Sequence, residues 1–214
     1  RPTTLKTRVL SGQHHLLRID EEEQKTLSSE EWAKVSENVK DLNWSSYSAV
    51  ILQDYGKGFL TEELCALIIK QAKTNNVSVF VDPSSKAPLK KYKGADYFKP
   101  NQKEVMAYST VGTSSYKELL SSIAKEGQFS HVINTMGAKG MCLYSKDLEL
   151  RVPTFAKNVF DVTGAGDTVV ASLSLALSHG LSLKEAAIFS NICAGFVVAK
   201  VGAVTLKFED IYKN

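Results

Sequence analysis

Between positions 28 and 135 the hydrophobic period of this chain switches repeatedly between 3.6 and two, and few architectures can bury a pattern of that kind. Ser28 followed by Glu31 has the form of a capping box opening a helix to about 41, and 48–53 reads as a buried strand. Thr61 opens a second helix with Leu64, Leu67, Ile68 and Ala72 on one face, and a strand over 77–81 follows. A strand near 96–98 precedes a helix from about Gln102, and a helix near 116–125 precedes a strand over 131–135. Alternation of strand and helix predicts an α/β sandwich: a mostly parallel sheet with helices on both faces. With 214 residues, 43% of them hydrophobic, the chain can fill one core and is short for two.

The flanks differ. Runs over 6–10 and 16–19, separated by Ser11 and Gly12, read as a hairpin or two neighbouring strands. The segment 140–152 reads as two strands turning at Lys146 and Asp147, and helices over 168–178 and 183–199 are expected to close the chain. In parallel sheets ligands bind beyond the carboxyl ends of the strands. Four polar clusters fall there: Asp54-Tyr55-Gly56-Lys57-Gly58, Asp82-Pro83, Pro100-Asn101-Gln102-Lys103-Glu104 and Thr135-Met136-Gly137-Ala138-Lys139-Gly140. All four should project from one edge.

The most specific local signal is Asp161-Val162-Thr163-Gly164-Ala165-Gly166-Asp167, directly before an apolar helical run. Gly164 and Gly166 permit a turn with positive φ and close approach of a ligand to the backbone, delivering the chain into a helix whose first amides lack partners. Such a terminus attracts phosphate. Asp167, in the first turn, could take a proton from an alcohol attacking phosphorus, a role worth roughly 10²–10⁴ in rate. The competing explanation is local, with Asp167 capping the helix and the glycines turning the chain.

Other features narrow the class. The formal net charge of +3 comes from 26 basic and 23 acidic residues without a basic stripe, so nucleic acid is not an expected partner. Cys65, Cys142 and Cys193 lie far apart in apolar surroundings, as reduced packing residues do. Reduced cysteines make a cytoplasmic location the default expectation; the best apolar candidate, 186–201, is broken by Ser190, Asn191 and Lys200, so no membrane span is expected. His14 and His15 would point to opposite faces of a strand, a poor metal arrangement. No G-x-G-x-x-G follows a first strand, which disfavours a dinucleotide-dependent oxidoreductase.

The heptapeptide at Asp161–Asp167, the N-x-x-E pattern at Asn101 to Glu104 and the T-x-G-x-x-G turn at Thr135 to Gly140 together resemble the ribokinase-like (PfkB) carbohydrate kinases. The resemblance runs the length of the chain. Within the family it is strongest to the branch that phosphorylates D-glycero-D-manno-heptose 7-phosphate at C1, carried by residues 2–10, by Leu17-Arg18-Ile19-Asp20 and by Asp54-Tyr55-Gly56-Lys57-Gly58. That branch usually reads Asp-Pro-Lys-Gly where this chain has Asp82-Pro83-Ser84-Ser85-Lys86. The fold implied is a three-layer α/β/α sandwich with a mostly parallel, doubly wound sheet. The family's glycine-rich N-terminal third has no counterpart before Arg1, so a single kinase domain lacking that third is expected.

What the resemblance implies for individual residues follows the motifs. Asp167 would be the general base, and the amides of Gly164, Ala165 and Gly166 the anion hole. Asn101, Gln102, Lys103, Glu104, Thr135, Gly137, Gly140, Asn191 and Gly195 would line the ATP site. Asn101 and Glu104 would organise Mg²⁺ through water. Lys6, Arg8 and Arg18 would meet the sugar's 7-phosphate, since paired cations suit a phosphate dianion. ATP and Mg²⁺ are the implied cofactors, with a monovalent cation as an addition. The implied partners are the sugar phosphate, a homodimer mate and an adenylyltransferase, fused or separate. Two alternatives stay open: a kinase of this family for another sugar, and a non-catalytic nucleotide-binding or oligomerisation remnant.

Overall fold

A computed structural model describes residues 2–12, 14–85, 87–109, 115–146, 148–156 and 158–212. Lys86 and Asp147 lie outside the described residues. The chain opens with an antiparallel hairpin, β1 (Leu5–Ser11) and β2 (His14–Glu21), whose register shifts between Val9 and Leu10. This hairpin forms a sheet of its own, and Leu5, Leu16, Leu17 and Ile19 are exposed on it.

The second sheet has six strands in chain order: β3 (Ala49–Gln53), β4 (Ser78–Asp82), β5 (Tyr97–Phe98), β6 (His131–Thr135), β7 (Met141–Ser145) and β8 (Leu148–Val152). The first four pair in parallel, and β7 and β8 add antiparallel. Right-handed crossovers that advance in one direction place their helices on one face. Accordingly α2 (Glu62–Thr74), α3 (Gln102–Ala107) and α4 (Tyr116–Gly127) share a core with Val79, Val81, Phe98 and Val132. The opposite face is covered by α5 (Ala165–Ser178) and α6 (Leu183–Val198), which pack on Phe80, Ile133, Met141 and Leu143. Adjacent residues of one strand thus serve opposite cores, as the period of two requires. Helices on both faces of a mostly parallel sheet make the three-layer sandwich read from the sequence.

Helix starts follow local chemistry. Ser28 and Glu31 form a reciprocal capping box for α1 (Ser29–Asp41), and the Thr61 side chain accepts from the Leu64 amide at the head of α2. The stripe of α2 is rotated from the sequence expectation. Leu64, Cys65, Ile69 and Ala72 are buried, whereas Leu67 and Ile68 are half-buried. Positions 65, 69 and 72 align at i, i+4 and i+7, so they take the centre of the buried face. Each fully buried aliphatic side chain there contributes about 1.5–3 kcal/mol.

Two boundaries also shift. The first of the two final long helices begins at Ala165 rather than 168, because Gly164 supplies the turn at φ 80° and the next three residues are already helical, while the second starts at Leu183 as expected. A short α7 (Phe208–Tyr212) follows α6, where no element was expected.

Candidate active site

Because β3 to β6 run parallel, their carboxyl ends bring the four polar clusters to one edge, and cross-bonds tie them together. The Asp54 amide donates to the Asp82 carbonyl at 2.9 Å, the Thr135 amide to the Pro100 carbonyl at 3.0 Å, and Asn101 pairs with Thr135 in an isolated bridge. The site therefore rests on strand ends, which fixes it more firmly than free loops would.

The heptapeptide divides into two jobs. Asp161 is structural: its Oδ1 accepts from the Thr163 amide at 2.9 Å and its Oδ2 from the Gly202 amide at 3.0 Å. Those amides, with the nearby charge of Arg8, hold its carboxyl below the usual carboxylate range. Gly164 is the N-cap of α5, in the left-handed region that glycine adopts without strain. Asp167 lies exposed in the first turn, where its Oδ1 accepts the Tyr55 hydroxyl at 3.1 Å. Partial loss of water around the hydroxyl of this otherwise exposed side chain, with the Asp167 charge beside it, pushes the Tyr55 pKa up to about 12.

Beneath the first turn of α5 sits a charged pair that the sequence reading did not single out. Lys99 is 4% exposed, and its Nζ lies 2.9 Å from Asp82 Oδ1. Gln53 donates to Asp82 Oδ2 at 2.9 Å. A Cβ placed on Gly166 would come 3.7 Å from Lys99 Nζ and 3.9 Å from Asp82 Oδ2, so the pair lies directly under that glycine. Burial pushes the Asp82 carboxyl up, Lys99 and Gln53 oppose this, and Asp167 adds a further upward push. In the sequence Lys99 is marked only by its place between Tyr97-Phe98 and Pro100, which does not tell a buried lysine from a solvated one.

The N-x-x-E pattern proves to be a capping box for α3. Glu104 Oε2 accepts from the Asn101 amide at 2.7 Å, and Asn101 Oδ1 accepts from the Glu104 amide at 3.0 Å. Glu104 is buried, and burial pushes its carboxyl up while the Asn101 amide and Lys99 pull the other way. Gln102 and Lys103 are exposed on the same turn. Among the described residues no group of three or more His, Cys, Asp or Glu side chains could hold a metal ion.

Gly140, Asn191 and Gly195, expected beside the nucleotide, converge on the segment 152–156. A Cβ on Gly140 would fall 2.0 Å from the Val152 carbonyl oxygen, the Asn191 side-chain Nδ2 donates to the Pro153 carbonyl at 2.8 Å, and a Cβ on Gly195 would meet the Ala156 amide nitrogen at 3.4 Å. Gly137, at φ 56°, faces open space.

Tyr55 also lines a cleft of about 530 Å³, together with Lys6, Glu22, Gln53, Asp54 and Lys57, and with Thr3, Thr4, Phe59 and Leu60; Asp167 is not among its lining residues. Lys6 lies 5.3 Å from the centre of the Tyr55 ring. Lys57 pairs with Glu22. Arg18 does not line this cleft: its guanidinium makes a two-pronged contact with Asp20, at 2.7 and 2.8 Å. Of the three cations expected at the sugar phosphate, Lys6 alone is among the residues lining the cleft.

Comparison with known proteins gives the same picture. The family model described as "pfkB family carbohydrate kinase" matches residues 1–210. The bifunctional protein HldE of a Nitratiruptor species is 41% identical over 214 residues, covering 99% of this chain and 45% of that protein. Its namesake from Sulfurimonas denitrificans is 38% identical, with 99% and 44% covered. This chain spans under half the length of those curated relatives. Among solved structures, Escherichia coli phosphofructokinase-2 in complex with substrates and products superposes with a TM-score of 0.73 at 20% identity, covering 98% of this chain and 68% of that one. Arabidopsis thaliana ribokinase complexed with ribose and ATP gives 0.65 at 22% identity, covering 83% and 55%. Both establish the fold.

Proposed function

This chain belongs to the pfkB family of carbohydrate kinases, and on that premise we propose that it phosphorylates D-glycero-D-manno-heptose 7-phosphate at C1, using ATP. The product is the 1,7-bisphosphate, on the way to ADP-heptose for lipopolysaccharide core. The observation that carries this reading is the bond from the Tyr55 hydroxyl to Asp167, which ties the first turn of α5 to the Lys6-lined cleft that Tyr55 helps to form.

Asp167 accepts the proton of the C1 hydroxyl as that oxygen forms a bond to the γ-phosphorus, and the bond from phosphorus to the ADP oxygen breaks. Of the three amides expected to form the anion hole, that of Ala165 donates to the Val162 carbonyl at 3.2 Å, so those of Gly164 and Gly166 are the ones to face the charge that develops on the transferred group, and this stabilisation outweighs the base in importance. Glu104 keeps one carboxylate oxygen outside its cap bond, and Asn101 stands beside it. One or two carboxylates with phosphate oxygens and water are the usual surroundings of Mg²⁺, and these two residues fit that set. The ion would neutralise phosphate charge there. Lys99 holds Asp82 in place beneath Gly166. Lys6 is the best-placed cation for the sugar's phosphate, with Arg8 and Arg18 more remote from the cleft. The segment 152–156, held by Gly140, Asn191 and Gly195, is suited to wall the adenine pocket. A homodimer and an adenylyltransferase, fused or separate, belong to the same proposal. That the relatives are called bifunctional, and that this chain spans under half of each, supports a second activity beside the kinase.

The test is transfer of label from γ-labelled ATP across heptose 7-phosphate, ribose and fructose. Label on the heptose is expected. Label on another sugar alone rejects the substrate, and ATP binding without transfer to any sugar favours a binding module.

A further inference from the structure

Tyr55 is unassigned by the motifs, yet it is the residue that joins the cleft to the proposed base. It is 60% exposed, its hydroxyl donates to Asp167 Oδ1 at 3.1 Å, and Lys6 of the hairpin lies 5.3 Å from its ring centre. An exposed side chain ordinarily samples several rotamers. Here the backbone that carries it is clamped. Asp54 Oδ1 accepts from the Gly56 amide at 2.7 Å, while Asp54 Oδ2 accepts from the Tyr92 hydroxyl and from Lys91. The Asp54 amide is tied to Asp82. Gly56 stands at φ 68° with its missing Cβ 2.6 Å from Ser84 Oγ, so no other residue fits that turn without displacement. Asp54 is 6% exposed and Tyr92 fully buried, so this anchor is part of the core.

We propose that Tyr55 is a positioning residue for phosphoryl transfer: its hydroxyl holds one oxygen of Asp167 and leaves the other to face the acceptor hydroxyl. Lys6 extends the arrangement to the hairpin. The cation rests on the ring, so the placement of the hairpin against the cleft bears on the orientation of the base. Tyr55 donates and does not itself take the substrate's proton. Its phenol is held protonated, with a pKa of about 12, and a protonated phenol is the state that can donate. This proposal rests on Asp167 being the base.

A double-mutant cycle separates the two ideas, measured on the polypeptide as it occurs in the cell. Tyr55→Phe keeps the ring against Lys6 and removes the hydroxyl alone, and the exposed position makes the fold indifferent to it. The expected result is a fall in kcat of about tenfold, the scale of one hydrogen bond to a charged group, with the KM for ATP unchanged. In an Asp167→Asn background the same change should cost no more than about twofold, since the carboxylate it serves is gone. Equal losses in both backgrounds, or no loss in the wild-type background, would overturn the positioning role while leaving the base intact. Near-normal turnover by Asp167→Asn alone would instead remove the base, and with it the role of Tyr55.

Discussion

Tyr55 and Asp167 are 112 residues apart in sequence and 3.1 Å apart in space, hydroxyl to carboxylate. The contact joins the end of β3 to the start of α5. It exists because the carboxyl ends of parallel strands and the return helix on the far face meet at one edge of the sheet. Everything proposed for this site depends on that meeting.

Lys99→Met should destabilise the protein by about 3–5 kcal/mol, since it strands the buried Asp82 carboxylate without its cation. Denaturant unfolding measures this. Pairing the change with Asp82→Asn should recover part of the loss, because the stranded charge is then absent.

Glu104→Gln separates a helix cap from a site for Mg²⁺. The amide oxygen of glutamine can still accept from the Asn101 backbone, so stability should change by less than about 1 kcal/mol. Turnover should fall by about 10–100-fold, the usual cost of altering the surroundings of a bound ion. Equal turnover would leave the pattern a cap alone.

Gly140 and Gly137 both have positive φ, yet their alanine variants should differ. Gly140→Ala meets the Val152 carbonyl oxygen at 2.0 Å and should cost at least about 3 kcal/mol. Gly137→Ala meets nothing within 4 Å and should cost only the conformational term of about 1–2 kcal/mol. Melting temperatures of the two variants rank them.

His131 stacks on Tyr97 with ring centres 4.8 Å apart, and its Nδ1 is buried without a hydrogen bond. Burial holds its pKa below the ordinary 6.5, with Asp96 opposing. The unfolded chain then binds the proton more readily than the folded one. Stability is unaffected by this group above pH 6.5 and is lost as pH falls from 6.5 toward the lower folded value. His131→Phe should keep the stack and flatten that part of the stability curve.

The strand and helix order was legible in the sequence because period and caps agree: Ser28 with Glu31, and Thr61, mark helix starts that the structure keeps. The gathering of four clusters at one edge followed from parallel pairing alone. The pair Lys99 and Asp82 was hidden, since a lysine reads as solvated until its burial is known. Tyr55 was visible only as part of a cluster, because a contact across 112 residues leaves no local trace. The inward face of α2 was misplaced by a fraction of a turn, which periodicity over three turns does not resolve. Asn101 and Glu104 drew attention through a resemblance, whereas their reciprocal hydrogen bonds explain the spacing physically.

The central claim is that Asp167 is the base of a phosphoryl transfer. Its most direct test measures ATP binding and label transfer to heptose 7-phosphate on one preparation of Asp167→Asn. Unchanged ATP binding with transfer reduced by about 10²-fold or more is the predicted result. Near-normal transfer would contradict it.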